Sequence, residues 1–156
     1  MDMEVVWLAE LQDISFSRAG VATASSFPAE NRMTSAQLAR LLHPGAYGVL
    51  ATTRADGRPH ATPASLVLHE RAVWLPTVAG AVRLANLAAH PYASLVVMQG
   101  DGPNHAMVMM EGAVEVVAAS ADDVTAAANR YGRELTWATA WIRLTPQKIL
   151  SYAASG

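Results

Sequence analysis

The chain has 156 residues, no cysteine, 11 basic and 13 acidic residues, and a formal net charge of −2 at pH 7. This length fits one domain, the missing cysteines exclude disulfides, thiolate zinc sites, cysteine nucleophiles and iron–sulfur clusters, and the balanced charge argues against nucleic acid as a partner. Hydrophobic residues form 52% of the chain, which favours burial in a subunit interface, although a high alanine content would also raise this fraction.

The N-terminal part of the chain carries no chemical motif. Residues 1–12 have a weak helical pattern in which Val5, Leu8 and Leu11 recur at every third position. The small and polar residues that follow are typical of a linker. We therefore predict an N-terminal arm or linker over residues 1–33.

The sequence shows neither a signal peptide nor a membrane span, and these two features bear on where the protein is located. The N-terminus has acidic residues where a signal peptide has basic ones. No segment approaches the roughly 20 apolar residues of a membrane span. We expect a cytoplasmic protein that does not bind a membrane.

Residues 34–156 read as one domain that begins with a helix. Thr34 and Gln37 form a capping box. An apolar stripe follows on one face of this helix, at Leu38, Leu41 and Leu42.

Six later segments have the composition and alternation of β-strands. They lie at 48–53, 59–68, 72–78, 93–98, 105–117 and 136–144. Turns at Asp56-Gly57 and around Gly102 indicate antiparallel hairpins. Two helices, at 82–89 and 120–131, interrupt the strands without alternating with them. The pattern favours a closed or split antiparallel barrel over a parallel sheet with crossover helices.

Three groups of short motifs occur in a fixed order along the domain. The first hairpin contains Gly48-Val49-Leu50-Ala51-Thr52, Asp56-Gly57-Arg58-Pro59 and Thr62-Pro63. The third strand and the next helix contain Trp74-Leu75-Pro76-Thr77, Arg83, Asn86-Leu87 and His90-Pro91. The last strand contains Arg143-Leu144-Thr145-Pro146 and Lys148-Ile149. Over about residues 34–152 this order resembles the pyridoxamine 5′-phosphate oxidase-like superfamily.

The resemblance implies a mainly β fold, the six-stranded antiparallel FMN-binding split β-barrel with helices. It also implies a homodimer that holds FMN between its subunits and acts as an oxidoreductase on a small-molecule substrate. One branch of the superfamily uses the deazaflavin F420 instead of FMN. Two alternatives therefore stay open: an F420-dependent reductase, and a non-catalytic dimer that binds a flavin or haem. Oxidation of pyridoxamine phosphate itself is disfavoured because the second phosphate site that it needs is not visible.

A phosphate site is expected at the end of the third strand. Arg83 in the first turn of the following helix, Thr77 at the strand end and Gly80 between them could cradle a dianion. The resemblance points to the same place. The alternative is that Arg83 is a solvated surface arginine. Neighbouring residues assigned to the same site are Pro76, Val78 and Asn86.

A slot for the flavin ring is implied by the resemblance. The positions that line it in relatives are His60, Thr62, Pro63, Ala64, Trp74 and Pro76. His60 either hydrogen-bonds the ring or is a half-exposed strand histidine. Trp74 is expected to pack in the protein rather than to stack on the flavin ring. Trp137 and Trp141 are predicted on one face of the sixth strand, where Trp141 either walls the pocket or fills the interface.

The charge pattern favours FMN over F420. Family members often carry further basic residues where this chain has Ala81 and Ala85, and the longer, more acidic tail of F420 would favour such residues. The bases that could take their place are Arg54, Arg58 and Arg71. No metal site is expected because the five histidines are dispersed, and no catalytic residue is assigned.

Overall fold

A computed structural model describes residues 3–154. Six antiparallel strands form one closed barrel in the order β1-β2-β3-β6-β5-β4. The strands are β1 (Ala46–Thr53), β2 (Pro59–His69), β3 (Ala72–Thr77), β4 (Tyr92–Gln99), β5 (Ala106–Ala118) and β6 (Ala140–Ala153). The predicted six-stranded antiparallel barrel is confirmed.

The described residues form five α-helices in addition to the barrel. They are α1 (Met3–Ser17), α2 (Val21–Ser26), α3 (Ser35–Leu41), α4 (Val82–Ala89) and α5 (Asp122–Tyr131). Short 3-10 turns lie at Ala29–Asn31 and Gly102–Asn104. The capping box at Thr34 and Gln37 is present and starts α3 as predicted. Within residues 3–154, no helix is both long and apolar enough to cross a membrane.

The N-terminal helix α1 packs into the barrel. Val5 and Leu8 are buried in the same core cluster as residues from the barrel strands. Gln12 Nε2 donates to the Met33 carbonyl oxygen at 2.8 Å, and the backbone N–H of Ile149 donates to Ser15 Oγ at 3.1 Å. Apolar packing and buried hydrogen bonds therefore fasten α1 to β6. The division of the chain at residue 33 stays a prediction.

The sixth strand is longer than the sequence indicates. We predicted residues 136–144, with Pro146 outside the strand, but β6 runs without a break from Ala140 to Ala153. A register shift opposite the Glu111/Gly112 step leaves Gln147 as an extra residue, so that Gly112 pairs with Pro146. A Cβ on Gly112 would lie only 2.0 Å from the Thr145 carbonyl oxygen. The bulge on β6, opposite Gly112 of β5, thus allows Pro146 to lie within the strand.

The predicted alignment of two tryptophans on β6 is wrong. Trp137 lies in a turn before the strand and is 48% exposed, whereas Trp141 is on the strand and 2% exposed. The strand begins too late to include Trp137, so the two rings do not share a strand face.

The barrel has two apolar clusters. The main one fills its interior and includes Leu50, Leu66, Leu75 and Leu95. The second lies beneath α5 and consists of Val67, Ala72, Trp74, Val124, Ala127, Tyr131 and Trp141. Because side chains alternate along a strand, β3 sends Val73 and Leu75 to the first cluster and Trp74 to the second.

Candidate functional site

Arg83 joins three elements that the sequence predicted to meet. From the first turn of α4, its Nε donates to Thr77 Oγ1 at the end of β3, at 2.9 Å. Its Nη1 donates to the Pro63 carbonyl oxygen on β2, at 3.3 Å. The guanidinium is therefore held in place between the end of β3, the middle of β2 and the helix, unlike that of a freely moving surface arginine.

The positive charge of Arg83 has no acidic partner in the described part of the chain. No carboxylate of residues 3–154 forms an ion pair with the Arg83 guanidinium within 4 Å. The side chain is partly buried, and this desolvation lowers the pKa of Arg83 from its ordinary value. A half-buried cation without a counter-ion favours the binding of an anion.

The start of α4 adds unpaired donors to the same place. Ala81 is the N-cap residue and provides no side-chain hydrogen bond to the first turn. Gly80 has a φ of +86°, a left-handed conformation that a glycine adopts without strain. Free N–H groups and the helix dipole make such an N-terminus favourable for an anion. Val78, exposed, and Ala79 complete the loop between Thr77 and Gly80.

The N-terminal part of β2 carries two polar atoms that lack partners in the described part of the chain. His60 Nδ1 and Thr62 Oγ1 are buried and have no hydrogen-bond partner among the described residues. Together with Ala64 they share the face of β2 that carries Leu66 into the core. Buried polar groups are usually hydrogen-bonded, so these two atoms fit a bound molecule with donors and acceptors of its own.

Asn86 makes an internal contact. Its Nδ2 donates to Thr52 Oγ1 at 3.0 Å, and both residues are buried. Thr52 is the cross-strand neighbour of His60. Asn86 therefore holds α4 against β1 beside the unpartnered His60.

Three of the predicted site residues lie on a different face. Trp74 and Trp141 belong to the cluster beneath α5, and Pro76 is the cross-strand neighbour of Trp141. Because side chains alternate along a strand, Trp74 and Pro76 lie on one face of β3 and Thr77 lies on the other. The Trp74 ring donates through Nε1 to the His69 carbonyl oxygen at 3.1 Å, which fits the packing role expected for it.

One residue next to the site escaped the sequence analysis. The backbone N–H of Ala79 donates to Thr139 Oγ1 at 2.7 Å, and the N–H of Thr139 donates to the Thr77 carbonyl oxygen at 3.0 Å. Thr139 thus fixes the loop that follows β3 from both sides. Its partners lie about 60 residues away in sequence, and no local sequence pattern predicts such a contact.

The sequence of residues 34–153 matches the family described as pyridoxamine 5′-phosphate oxidase. The chain belongs to this family. The resemblance found in the motifs is confirmed. No curated protein matches the sequence.

Several solved structures have a similar fold. A conserved hypothetical protein from Mycobacterium tuberculosis has a TM-score of 0.68 and 23% identity, over 82% of this chain and 89% of that one. A structure described as an F420 reductase has a TM-score of 0.57 and 23% identity, over 71% and 94%. An FAD-binding protein from Mycobacterium smegmatis has a TM-score of 0.60 and 24% identity, over 78% and 95%. At these identities the likeness concerns the fold.

Two of the three other basic residues considered for the cofactor either have a partner or lie far from Arg83. Arg58 Nε contacts Asp56 Oδ2 at 2.9 Å in the β1–β2 turn. Its backbone N–H and then its side chain lower the pKa of the Asp56 carboxyl. Arg71 follows the C-terminal end of β2, and the six residue steps from Pro63 to His69 span about 20 Å of strand. Arg58 is thus paired and Arg71 distant from Arg83, while Arg54 stays close to the same turn.

Proposed function

We propose that the protein is a flavin-dependent oxidoreductase that binds FMN and acts on a small organic molecule. The observation that carries the proposal is the fixed Arg83 guanidinium, which has no carboxylate partner within residues 3–154 and lies in the first turn of an uncapped helix. A phosphate dianion would supply the missing negative charge and accept hydrogen bonds from Arg83 and from the first turn of α4.

The residues in the N-terminal part of β2 fit the ring of the same cofactor. His60 Nδ1 and Thr62 Oγ1 are buried without partners in the described chain, and a flavin ring has nitrogen and carbonyl groups that could pair with them. Bound flavin supplies hydride transfer, while the protein binds, orients and shields the ring.

Homodimer formation is part of the proposal. Tyr47 and Val49 on β1 and Met98 on β4 point outward from the barrel, and Tyr47 and Met98 are 66% and 62% exposed. Apolar side chains grouped on one surface favour an interface, and a second copy of the chain would cover them. We expect Val49→Lys to convert a dimer into a monomer in light scattering, with Val21→Lys, on the exposed helix α2, as a matched control. A monomeric wild type at micromolar concentration would contradict this part.

F420 is the second candidate cofactor. Its phosphodiester would use the same Arg83 site, but its lactate and glutamate tail would need further bases. Arg58 is paired with Asp56 and Arg71 lies at the other end of β2, which favours the compact phosphate of FMN. A non-catalytic dimer that binds a flavin or haem is the third candidate.

The absorption spectrum of the purified protein and titration of the apo-protein separate these candidates. We expect saturable binding of FMN that is tighter than that of F420 or haem. Tighter binding of F420, weakening as its glutamate tail is shortened, would contradict the choice of FMN. FMN that binds but is not reduced or oxidised with any small-molecule substrate would favour the non-catalytic binder.

A further inference from the structure

A cavity outside the Arg83 site lies between α5 and the segment formed by residues 132–139. Its volume is about 540 Å³, within the range of about 300–1,000 Å³ that is usual for small-molecule sites. Its apolar lining residues are Ala119, Val124, Ala128, Leu135, Ala138 and Trp141. The indole of Trp141 is part of the buried cluster beneath α5. The cavity therefore offers a rigid apolar wall with an aromatic ring.

The polar side of this cavity carries two opposite charges at consecutive positions. Arg133 and Glu134 both line it, with Thr125 and Asn129 of α5 nearby. No ion pair within 4 Å is recorded between Arg133 and Glu134, or between either of them and another residue of 3–154. The Arg133 guanidinium lies 5.6 Å from the centre of the Tyr131 ring. Arg133 also hydrogen-bonds the side chains of Tyr131 and Tyr47, but neither tyrosine is an acid that neutralises its charge at neutral pH. Two opposite charges that lack a charged partner within residues 3–154, beside an apolar wall, are complementary to a zwitterion with an apolar group.

We propose that this cavity binds a free amino acid with a large apolar side chain. Its carboxylate pairs with Arg133, its ammonium group pairs with Glu134, and its side chain packs against Leu135, Ala138 and Trp141. The hydroxyl of Thr125 and the amide of Asn129 provide further hydrogen-bond partners for the two charged groups.

The wall of the cavity is connected to the Arg83 site. Ala138 lines the cavity, and the next residue, Thr139, hydrogen-bonds Ala79 and the carbonyl group of Thr77. Thr77 in turn accepts the hydrogen bond from Arg83. An amino acid that orders residues 132–139 therefore also stabilises the loop at the anion site. This coupling rests on the proposed FMN site, and by linkage each ligand strengthens the binding of the other.

Three ligands that differ only in their charged groups test the cavity by isothermal titration calorimetry. L-phenylalanine carries both charges, 3-phenylpropionate lacks the ammonium group, and phenethylamine lacks the carboxylate. We expect L-phenylalanine to bind most tightly and each of the other two to bind about fivefold more weakly, the scale of one exposed charge pair. The protein needs no cofactor for this measurement.

Two variants assign the charges. Arg133→Gln should weaken L-phenylalanine and 3-phenylpropionate about fivefold and leave phenethylamine unchanged, and Glu134→Gln should show the converse pattern. Arg71→Gln removes an exposed charge from the β2–β3 turn and should leave all three affinities unchanged. Absence of saturable binding by L-phenylalanine, equal affinity for the three ligands, or a uniform loss in Arg133→Gln would overturn the proposal.

The coupling is tested by FMN titration with and without saturating L-phenylalanine. We expect FMN to bind about fivefold more tightly with the amino acid present, the lower end of usual coupling strengths, and Thr139→Val to abolish this difference. An unchanged FMN affinity would refute the coupling while the three-ligand comparison still decides the cavity. Failure of FMN to bind in either condition would refute the proposed cofactor and the coupling together, and L-phenylalanine binding would again decide the cavity alone.

Discussion

Leu8→Ala tests whether α1 is an integral part of the folded domain. Leu8 is fully buried in the cluster that fills the barrel. The substitution removes three buried carbon atoms, which at about 0.8 kcal/mol each corresponds to about 2.4 kcal/mol of lost transfer free energy. The residual cavity adds to this loss, so we expect the free energy of unfolding to fall by about 3–4 kcal/mol.

Urea unfolding at one fixed protein concentration measures this change, because subunit association would otherwise alter the apparent stability. Ile14→Ala on the same helix is the matched control, since Ile14 is exposed, and we expect it to cost less than about 1 kcal/mol. A loss below about 1 kcal/mol for Leu8→Ala would refute the reasoning. It would show that residues 1–33 behave as a separable arm, as the sequence alone suggests.

Two further predictions concern the β5–β6 bulge and the β1–β2 turn. Gly112→Ala should lower the free energy of unfolding by about 3 kcal/mol or more, because its Cβ would meet a backbone oxygen at 2.0 Å. Gly20→Ala is the control, since a Cβ at Gly20 meets nothing within 4 Å. Equal stability of the two variants would contradict the bulge. The Asp56 carboxyl should titrate below its ordinary pKa in a ¹³C NMR experiment, mainly through the backbone N–H of Arg58 and then its side chain. Because the pKa of Asp56 is lower in the folded protein, its ionised carboxyl stabilises the fold at pH values above the unfolded-state pKa. This stabilisation is lost as the pH falls through the folded-state pKa. Arg58→Ala should raise the Asp56 pKa only in part, and an unchanged pKa would show that the side chain contributes nothing.

Local signals explain why most of the fold was predictable. The Thr34–Gln37 capping box and the Asp56-Gly57 turn depend on residues within a few positions of one another, and both elements are where the sequence indicates. The proximity of Thr77 and Arg83 has the same origin, because only residues 78–82, which form the glycine loop and the start of the helix, separate them. Their contact is present at 2.9 Å.

Contacts between distant parts of the chain explain what the sequence did not reveal. Pro146 is a local signal for the end of a strand, but β6 continues because the bulge meets a glycine on β5. Thr139 contacts Ala79 across 60 residues, and Asn86 contacts Thr52 across 34. Such pairings follow from how the barrel closes, and a single sequence carries no pattern for them.

The binding of FMN by Arg83 variants tests the central claim most directly. We expect Arg83→Gln to weaken FMN binding by about 1.5–3 kcal/mol, the usual contribution of a hydrogen bond to a charged group, which is roughly 10- to 150-fold in affinity. Thr77→Val should cost less. Arg71→Gln, with the same loss of charge in the distant β2–β3 turn, should bind FMN like the wild type. Fluorescence titration of FMN measures all three, with unfolding curves to establish that each variant is folded. A folded Arg83→Gln protein that binds FMN as tightly as the wild type would contradict the account and place the phosphate site elsewhere.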